Sequence, residues 1–160
     1  MQNAYLLTGG NTGDRRKFLA DALKAVEKQC GKIIAVSALY ETAAWGLHDQ
    51  PPFLNQAIEL QTTLSPQVLL EKILAIEIEL GRLRDKKFGP RTIDIDIIFY
   101  GQEVVNEPGL VIPHPHLPNR RFALECLNDI AAMFIHPVLH KPIKALLEEC
   151  TDSLTVYKLV

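Results

Sequence analysis

Two segments of the chain repeat apolar residues at helical spacing, and each is bracketed by segments whose composition reads as β-strand. That order of periodicities constrains the fold more than any other feature. "AYLLT" (Ala4–Thr8) reads as an apolar strand ended by Gly9 and Gly10. A helix begins around Asp14, with Phe18, Ala22, Val26 and Cys30 four residues apart, Leu19 and Leu23 beside them, and Gly31 as its C-terminal cap. "KIIAVSALYET" and "FLNQAIELQTT" follow as two strands. Ser65-Pro66 opens a second helix, a capping hydroxyl before a proline in the first turn, and Leu69, Ile73, Ile76 and Leu80 carry it to Gly81. "GPRTIDIDIIFYG" (Gly89–Gly101) supplies the fourth strand. The pattern is β-α-β-β-α-β, which predicts an α+β, ferredoxin-like sandwich: an antiparallel sheet with both helices on one face and the other face available. A proline-rich stretch, "EPGLVIPHPHLPNRRF", then leads to a C-terminal helical extension, about Ala123–Ala132 and Ile143–Glu149. No repeat or linker interrupts the chain, so residues 1–160 read as a single domain.

Composition narrows the partners. A formal net charge of −2 provides no general field for nucleic acid or acidic membranes. No apolar run approaches the roughly 20 residues that span a bilayer, and "MQNAYLLTGGN" has no basic region of a signal peptide, so a cytoplasmic protein is expected. The three cysteines, Cys30, Cys126 and Cys150, lack metal-ligand spacing and read as idle thiols.

Strand alternation places the chemistry. With Ile93, Ile95 and Ile97 toward the helices, Thr92, Asp94 and Asp96 face the other way. With Leu54, Ile58 and Leu60 under the helices, Phe53 and Asn55 join the two carboxylates. Aspartate is disfavoured in strands, and a pair at i and i+2 repels unless a cation sits between. Hard oxygen ligands with room for water and phosphate suit Mg²⁺. Beside them "GRLRDKKFGPR" carries five cations, Arg82, Arg84, Lys86, Lys87 and Arg91, against one anion, Asp85. Carboxylates for metal next to arginines for phosphate is the equipment of phosphoryl transfer. This connection and "AAWGLHDQPP" exceed ordinary loop lengths, as lids and binding loops do. Gly81 and Gly89 are expected to hinge the first of them.

Other candidates carry less. "TGGN" lacks the length and lysine of a phosphate-binding loop and reads as a turn. His114 and His116 are too few for a transition-metal site, and His114 fits a phosphate contact near Arg120 and Arg121 better. Phe122 falls on a helical stripe with Cys126 and Ile130, a core position by default, and Glu77 is expected on the outer face of its helix. Trp45, in a polar loop, is suited to contact something flat.

At "FGPRTIDIDIIFYG" the chain resembles the 6-hydroxymethyl-7,8-dihydropterin pyrophosphokinase family. "YETAAWGLHDQPPFLNQA", "GRLRDKKFGPRTIDID", "IPHPHLPNRRFAL" and "DIAAMFIHPVLHKPI" extend the likeness from about Ala4 to Leu147. The resemblance implies a ferredoxin-like fold and transfer of pyrophosphate from ATP to the pterin's hydroxymethyl oxygen, releasing AMP, in folate biosynthesis. It implies that Asp94 and Asp96 hold two Mg²⁺ ions on the triphosphate, and that Arg82 and Arg91, assisted by Arg84, stabilise the transferring group. Phe53 and Phe122 would sandwich the pterin, Thr42 and Asn55 would meet its polar edge, and Trp45 and Phe88 would join the pocket, Phe88 capping it on loop closure. His114 and Arg120 would contact phosphates, and the backbone around Ile97, Val111 and Ile112 would receive the adenine. The partners are therefore the two small substrates, with no nucleic acid or membrane, and a monomer is expected.

The chain departs from the usual pattern at Gly10, where serine is common, at Phe88 (tryptophan), at Phe53 (tyrosine) and at Ala43 (proline). Stacking survives both aromatic exchanges, but an indole N–H and a phenol O–H are lost. A nucleotidyl transferase would also use paired aspartates, without accounting for Phe53 and Asn55. A module binding single-stranded RNA would use exposed aromatics on such a sheet, but carboxylates on the binding face oppose it.

Overall fold

The computed structural model describes residues 1–42, 51–81 and 93–159. Among them run β1 (Gln2–Gly10), α1 (Arg15–Gln29), β2 (Lys32–Val36), β3 (Tyr40–Thr42), β4 (Phe53–Thr62), α2 (Pro66–Glu79) and β5 (Asp94–Tyr100). A small hairpin follows, β6 (Val105–Glu107) with β7 (Leu110–Ile112), then a 3-10 turn (Leu117–Asn119). Helices α3 (Arg121–Ala131) and α4 (Ile143–Glu149) and a last strand, β8 (Val156–Lys158), complete the described chain.

Both long helices start where the sequence says they should. The Asp14 carboxylate accepts the Lys17 N–H at 3.1 Å, and the Ser65 hydroxyl accepts that of Val68 at 3.2 Å. Each side chain satisfies one of the backbone donors a helix N-terminus leaves without a partner. The described sheet runs β5-β1-β4-β3-β8 with β2 also paired to β4, and every pairing is antiparallel. This is the ferredoxin-like order. β2 and β3 share the place that one strand was expected to fill.

The break between them has a local cause and a distant one. Ser37 exchanges bonds with Ala57: its N–H donates to the Ala57 carbonyl and its hydroxyl accepts the Ala57 N–H at 2.8 Å. The next N–H, that of Ala38, turns away to the Asp129 carboxylate on α3 at 3.1 Å. Val36 pairs with Ile58, whereas Tyr40 pairs with Asn55, so the strand gains one residue on β4 across the gap. Gly9 and Gly10, expected to end β1, lie inside it and pair with Asn55 and Leu54.

Two cores flank the sheet. Under α1 and α2 lie Leu6, Leu54, Ile58, Leu60, Ile93 and Ile95 with Leu19, Val26, Leu69 and Ile73, all buried. On the opposite face, Tyr5, Leu7, Ala57 and Phe99 pack against Ala123, Leu124, Leu127, Ile143 and Leu146 of α3 and α4. The C-terminal extension therefore folds back over part of the face that the core pattern leaves available. Phe134 tilts against Phe99 at 4.5 Å between ring centroids and fills that second core. The three cysteines are free and buried. Among the described residues no helix is long and apolar enough to cross a membrane.

Candidate active site

The carboxylates occupy the predicted face. Ile93, Ile95 and Ile97 enter the helix-side core, while Asp94 and Asp96 stay partly exposed on the other face. At i and i+2 their Cα atoms are about 7 Å apart. Register aligns them with the rest of the site. Asp94 pairs with Gly9, Gly9 with Asn55, and Asn55 with Tyr40, so one transverse row crosses four strands. Asp94 and Asn55 thus stand two strand spacings apart, roughly 10 Å.

Gly9 lies between them because Asn55 needs the space. A Cβ on residue 9 would sit 2.5 Å from the Asn55 Oδ1, a distance that no real contact shows. Asn55 is only 4% exposed, and among the described residues its Nδ2 has no hydrogen-bond partner. A buried amide donor without an acceptor costs on the order of 1–3 kcal/mol, and such a group calls for an acceptor that a ligand or an ordered water can supply. Neighbouring strand ends are fastened around it. Asn11 donates to the Pro51 carbonyl at 3.1 Å, and Arg15 reaches the Pro52 carbonyl and pairs with Glu41 at 2.7 Å. Phe53, half-buried, begins β4 opposite Thr42. The Thr42 hydroxyl donates to the Thr155 carbonyl at 3.2 Å.

His114 is brought to the carboxylates by an irregularity in β5. Leu6 pairs with Ile97 but Tyr5 pairs with Phe99, leaving Ile98 as an extra residue. Such a bulge redirects backbone groups, and the Ile98 carbonyl here accepts the His114 N–H at 3.0 Å. The His116 N–H donates to the His114 Nδ1, so the neutral ring carries its proton on Nε2, 3.9 Å from the Asp96 carboxylate. Burial, then the Arg120 and His116 charges, pull the His114 pKa down to about 4 against the opposing pull of Asp94. The ring is neutral at pH 7, and its Nε2–H is a donor for an anion. Arg120 occupies the N-cap position of α3 without a side-chain cap, and Phe122 lies half-buried in its first turn against the second core. Ile97 and Ile112 point into the helix-side core, whereas Val111 is exposed. Arg82, Arg84, Arg91, Phe88 and Trp45 lie outside the described residues.

Glu77 overturns its expectation. It is 2% exposed, and its Oε2 accepts the Ile95 N–H at 2.7 Å. Among the described residues β5 is the end strand of the sheet, so its outward N–H groups need an acceptor that no described strand provides. Glu77 supplies one at the residue between Asp94 and Asp96. A charged position on a helix surface gives no local hint of this. The hint lies in the aspartates, since an edge strand that carries them must be held from its free side.

The donor set fits magnesium. Mg²⁺ takes one or two carboxylates and keeps its remaining sites for water and phosphate. Asp94 and Asp96 offer that, and no group of three or more His, Cys, Asp or Glu forms a closed cage among the described residues.

Known proteins resemble the chain over most of its length. Residues 5–132 match the family described as 7,8-dihydro-6-hydroxymethylpterin-pyrophosphokinase. The 2-amino-4-hydroxy-6-hydroxymethyldihydropteridine pyrophosphokinase of Aquifex aeolicus is 41% identical over 151 residues, 94% of each chain. The folic acid synthesis protein fol1 of Pneumocystis carinii is 40% identical over 92% of this chain, which spans only 20% of that protein. A wild-type Plasmodium falciparum HPPK-DHPS solved with STZ-DHP superimposes with a TM-score of 0.76 at 21% identity, covering 92% of this chain and 43% of that one. At that identity the likeness speaks for the fold.

Proposed function

The chain belongs to the 7,8-dihydro-6-hydroxymethylpterin-pyrophosphokinase family, and we infer that it moves the β,γ-pyrophosphoryl unit of ATP onto the hydroxymethyl oxygen of 6-hydroxymethyl-7,8-dihydropterin, in folate biosynthesis. That oxygen attacks the β-phosphorus. The bond from this phosphorus to the oxygen bridging the α-phosphate breaks, the bridging oxygen stays with the α-phosphate, and AMP departs. The hydroxyl proton passes to solvent.

What supports this location for the pterin is Asn55, whose buried Nδ2 lacks an acceptor among the described residues and lies in the row that ends at Asp94. A pterin is flat and carries carbonyl and ring-nitrogen acceptors along one edge. Its polar edge meets Asn55 and Thr42, and Phe53 and Phe122 take its two faces, with Trp45 and Phe88 completing the enclosure. The hydroxymethyl group then points along the row toward Asp94 and Asp96. Asp94 and Asp96 would hold two Mg²⁺ ions, which when bound would supply positive charge against the triphosphate. His114, through Nε2–H, and Arg120 bind phosphate oxygens, and the backbone around Ile97, Val111 and Ile112 receives the adenine. Arg82 and Arg91, with Arg84, stabilise charge on the transferring group. Positioning and electrostatics suffice without a dedicated base. The enzyme acts as a monomer.

Product analysis tests the reading. Purified protein with Mg²⁺, ATP and the hydroxymethyl pterin should yield AMP and pterin diphosphate in equal amounts, and omission of the pterin should stop AMP formation. ADP as the product, or AMP formed without pterin, would refute it.

A further inference from the structure

Arg121 stands between two residues assigned to substrates, Arg120 and Phe122, yet its own bonds run elsewhere. Its Nη2 donates to the Cys150 carbonyl at 2.7 Å and its Nε to the Asp152 carbonyl at 2.9 Å, while its backbone N–H donates to the Asp152 carboxylate at 3.0 Å. The other oxygen of that carboxylate accepts the Leu154 N–H at 3.1 Å, fixing the turn that follows. The tail then runs along the outer edge of β3 as β8, with Thr42 opposite Val156 and Tyr40 opposite Lys158. The Leu159 N–H closes it on the Leu39 carbonyl at 2.8 Å, and Lys158 approaches Asp129 of α3 at 3.8 Å.

We propose that Arg121 is a positioning residue for the pterin pocket, acting through the C-terminal segment 150–159 as a strap between α3 and β3. This rests on the pterin site proposed above. The strap joins the two elements that carry opposite walls of that pocket. One end is clamped at the first turn of α3, beside Phe122. The other is pinned by the Thr42 hydroxyl on the Thr155 carbonyl, beside Phe53. A planar ligand held between two rings depends on the gap between them, so slack in the strap lowers pterin affinity without touching the ligand. The guanidinium suits this task because its fixed fork reaches two carbonyls along the tail, which one ammonium on a flexible stem does not reproduce. That distinguishes Arg121 from a phosphate-binding cation, for which lysine is an adequate replacement.

Arg121→Ala and Arg121→Lys should each weaken binding of 6-hydroxymethyl-7,8-dihydropterin by roughly 2- to 30-fold, the range in which supporting residues modulate a distant site. The affinity for a non-hydrolysable ATP analogue with Mg²⁺ should hold in the same samples, which also verifies that they are folded. KM for the pterin should rise with kcat little changed. Thr42→Val releases the strap at its other end, so the double variant Arg121→Ala with Thr42→Val should lose no more than the worse single variant. Wild-type protein that binds no pterin overturns the pocket and the inference together. Wild-type binding with equal pterin affinity in both Arg121 variants overturns the inference alone. So does rescue by lysine, a parallel loss for the ATP analogue, or additive losses in the double variant.

Discussion

Removing the Glu77 carboxylate should loosen β5 at the residue between the two aspartates. Glu77 is buried, and its Oε2 accepts the Ile95 N–H at 2.7 Å, a bond that is charge-assisted when the carboxylate is ionised. Hydrogen bonds to a charged group contribute about 1.5–3 kcal/mol, and the donor left behind in Glu77→Ala stays buried on an edge that no described strand covers. The one lost methylene adds about 0.8 kcal/mol, partly offset because a buried carboxyl group that is costly to desolvate has gone. The net loss is about 2–4 kcal/mol. At 160 residues, a midpoint moves roughly 2–4 °C per kcal/mol, so thermal unfolding should fall by about 5–15 °C.

Glu77→Gln is the sharper variant, because it keeps an oxygen in the same place and removes only the charge. A neutral hydrogen bond is about half as strong, so this change should cost about 1 kcal/mol. The functional signature lies in magnesium dependence. If Ile95 is held so that Asp94 and Asp96 keep their spacing, both variants should need more Mg²⁺ for half-maximal rate, alanine more than glutamine. Unfolding curves and initial rates over a Mg²⁺ series measure the two effects separately. An alanine variant within about 0.5 kcal/mol of wild type, with unchanged Mg²⁺ dependence, would show that the strand is not held by Glu77.

Asp94→Ala or Asp96→Ala should abolish turnover at ordinary Mg²⁺ while circular dichroism stays native; activity retained at unchanged Mg²⁺ dependence removes the metal assignment. Gly9→Ala should displace the Asn55 amide and weaken pterin binding about tenfold or more, since the buried polar edge loses its partner, with ATP binding spared; equal pterin titrations for variant and wild type would contradict the row. Stability should decline with acid partly through His136. Its Nδ1 accepts the Val138 and Leu139 N–H groups, and burial, with the His140 charge, lowers its pKa. The unfolded chain takes the proton near pH 6.5 and the folded one only lower. The stabilisation is therefore complete above about pH 6.5 and is lost as pH falls toward the folded pKa, at up to about 1.4 kcal/mol per unit. His136→Asn should flatten that slope in urea unfolding between pH 7 and 5, and an unchanged slope would exclude the residue.

Where a residue's environment is set by its immediate neighbours in sequence, the chain was readable. Ile93, Ile95 and Ile97 leave one choice of face for Asp94 and Asp96, and the Ser65-Pro66 start needs only its own first turn. What escaped depends on partners far along the chain. Gly9 reads as a turn until Asn55, from another strand, is found in the space its side chain would fill. Glu77 reads as solvent-facing until β5 is seen to lie at the sheet's end. The interruption at Ser37 takes its second support from Asp129, 91 residues from Ala38. A strand as short as β8 exists only because β3 offers an edge. The α3 and α4 helices announced themselves, but nothing local says which face they cover.

Four features of the fold run against local preference, and they are not scattered. Each is a place where local preference and final structure disagree: a glycine inside a strand, a carboxylate in the core, aspartates on an edge strand, an extra residue at Ile98. A sequence that merely had to fold would have little reason to keep them, because each weakens the agreement between local and global preference that makes folding reliable. All four lie on or beside the row from Asn55 through Gly9 to Asp94 and its neighbours on β5. Gly9 leaves room for the Asn55 amide, Glu77 steadies the aspartates, and the Ile98 carbonyl holds His114 beside them. Disagreement between levels therefore marks the site as clearly as the motif does. It adds Glu77 and Gly9, which set the geometry of the residues proposed to bind metal and substrate.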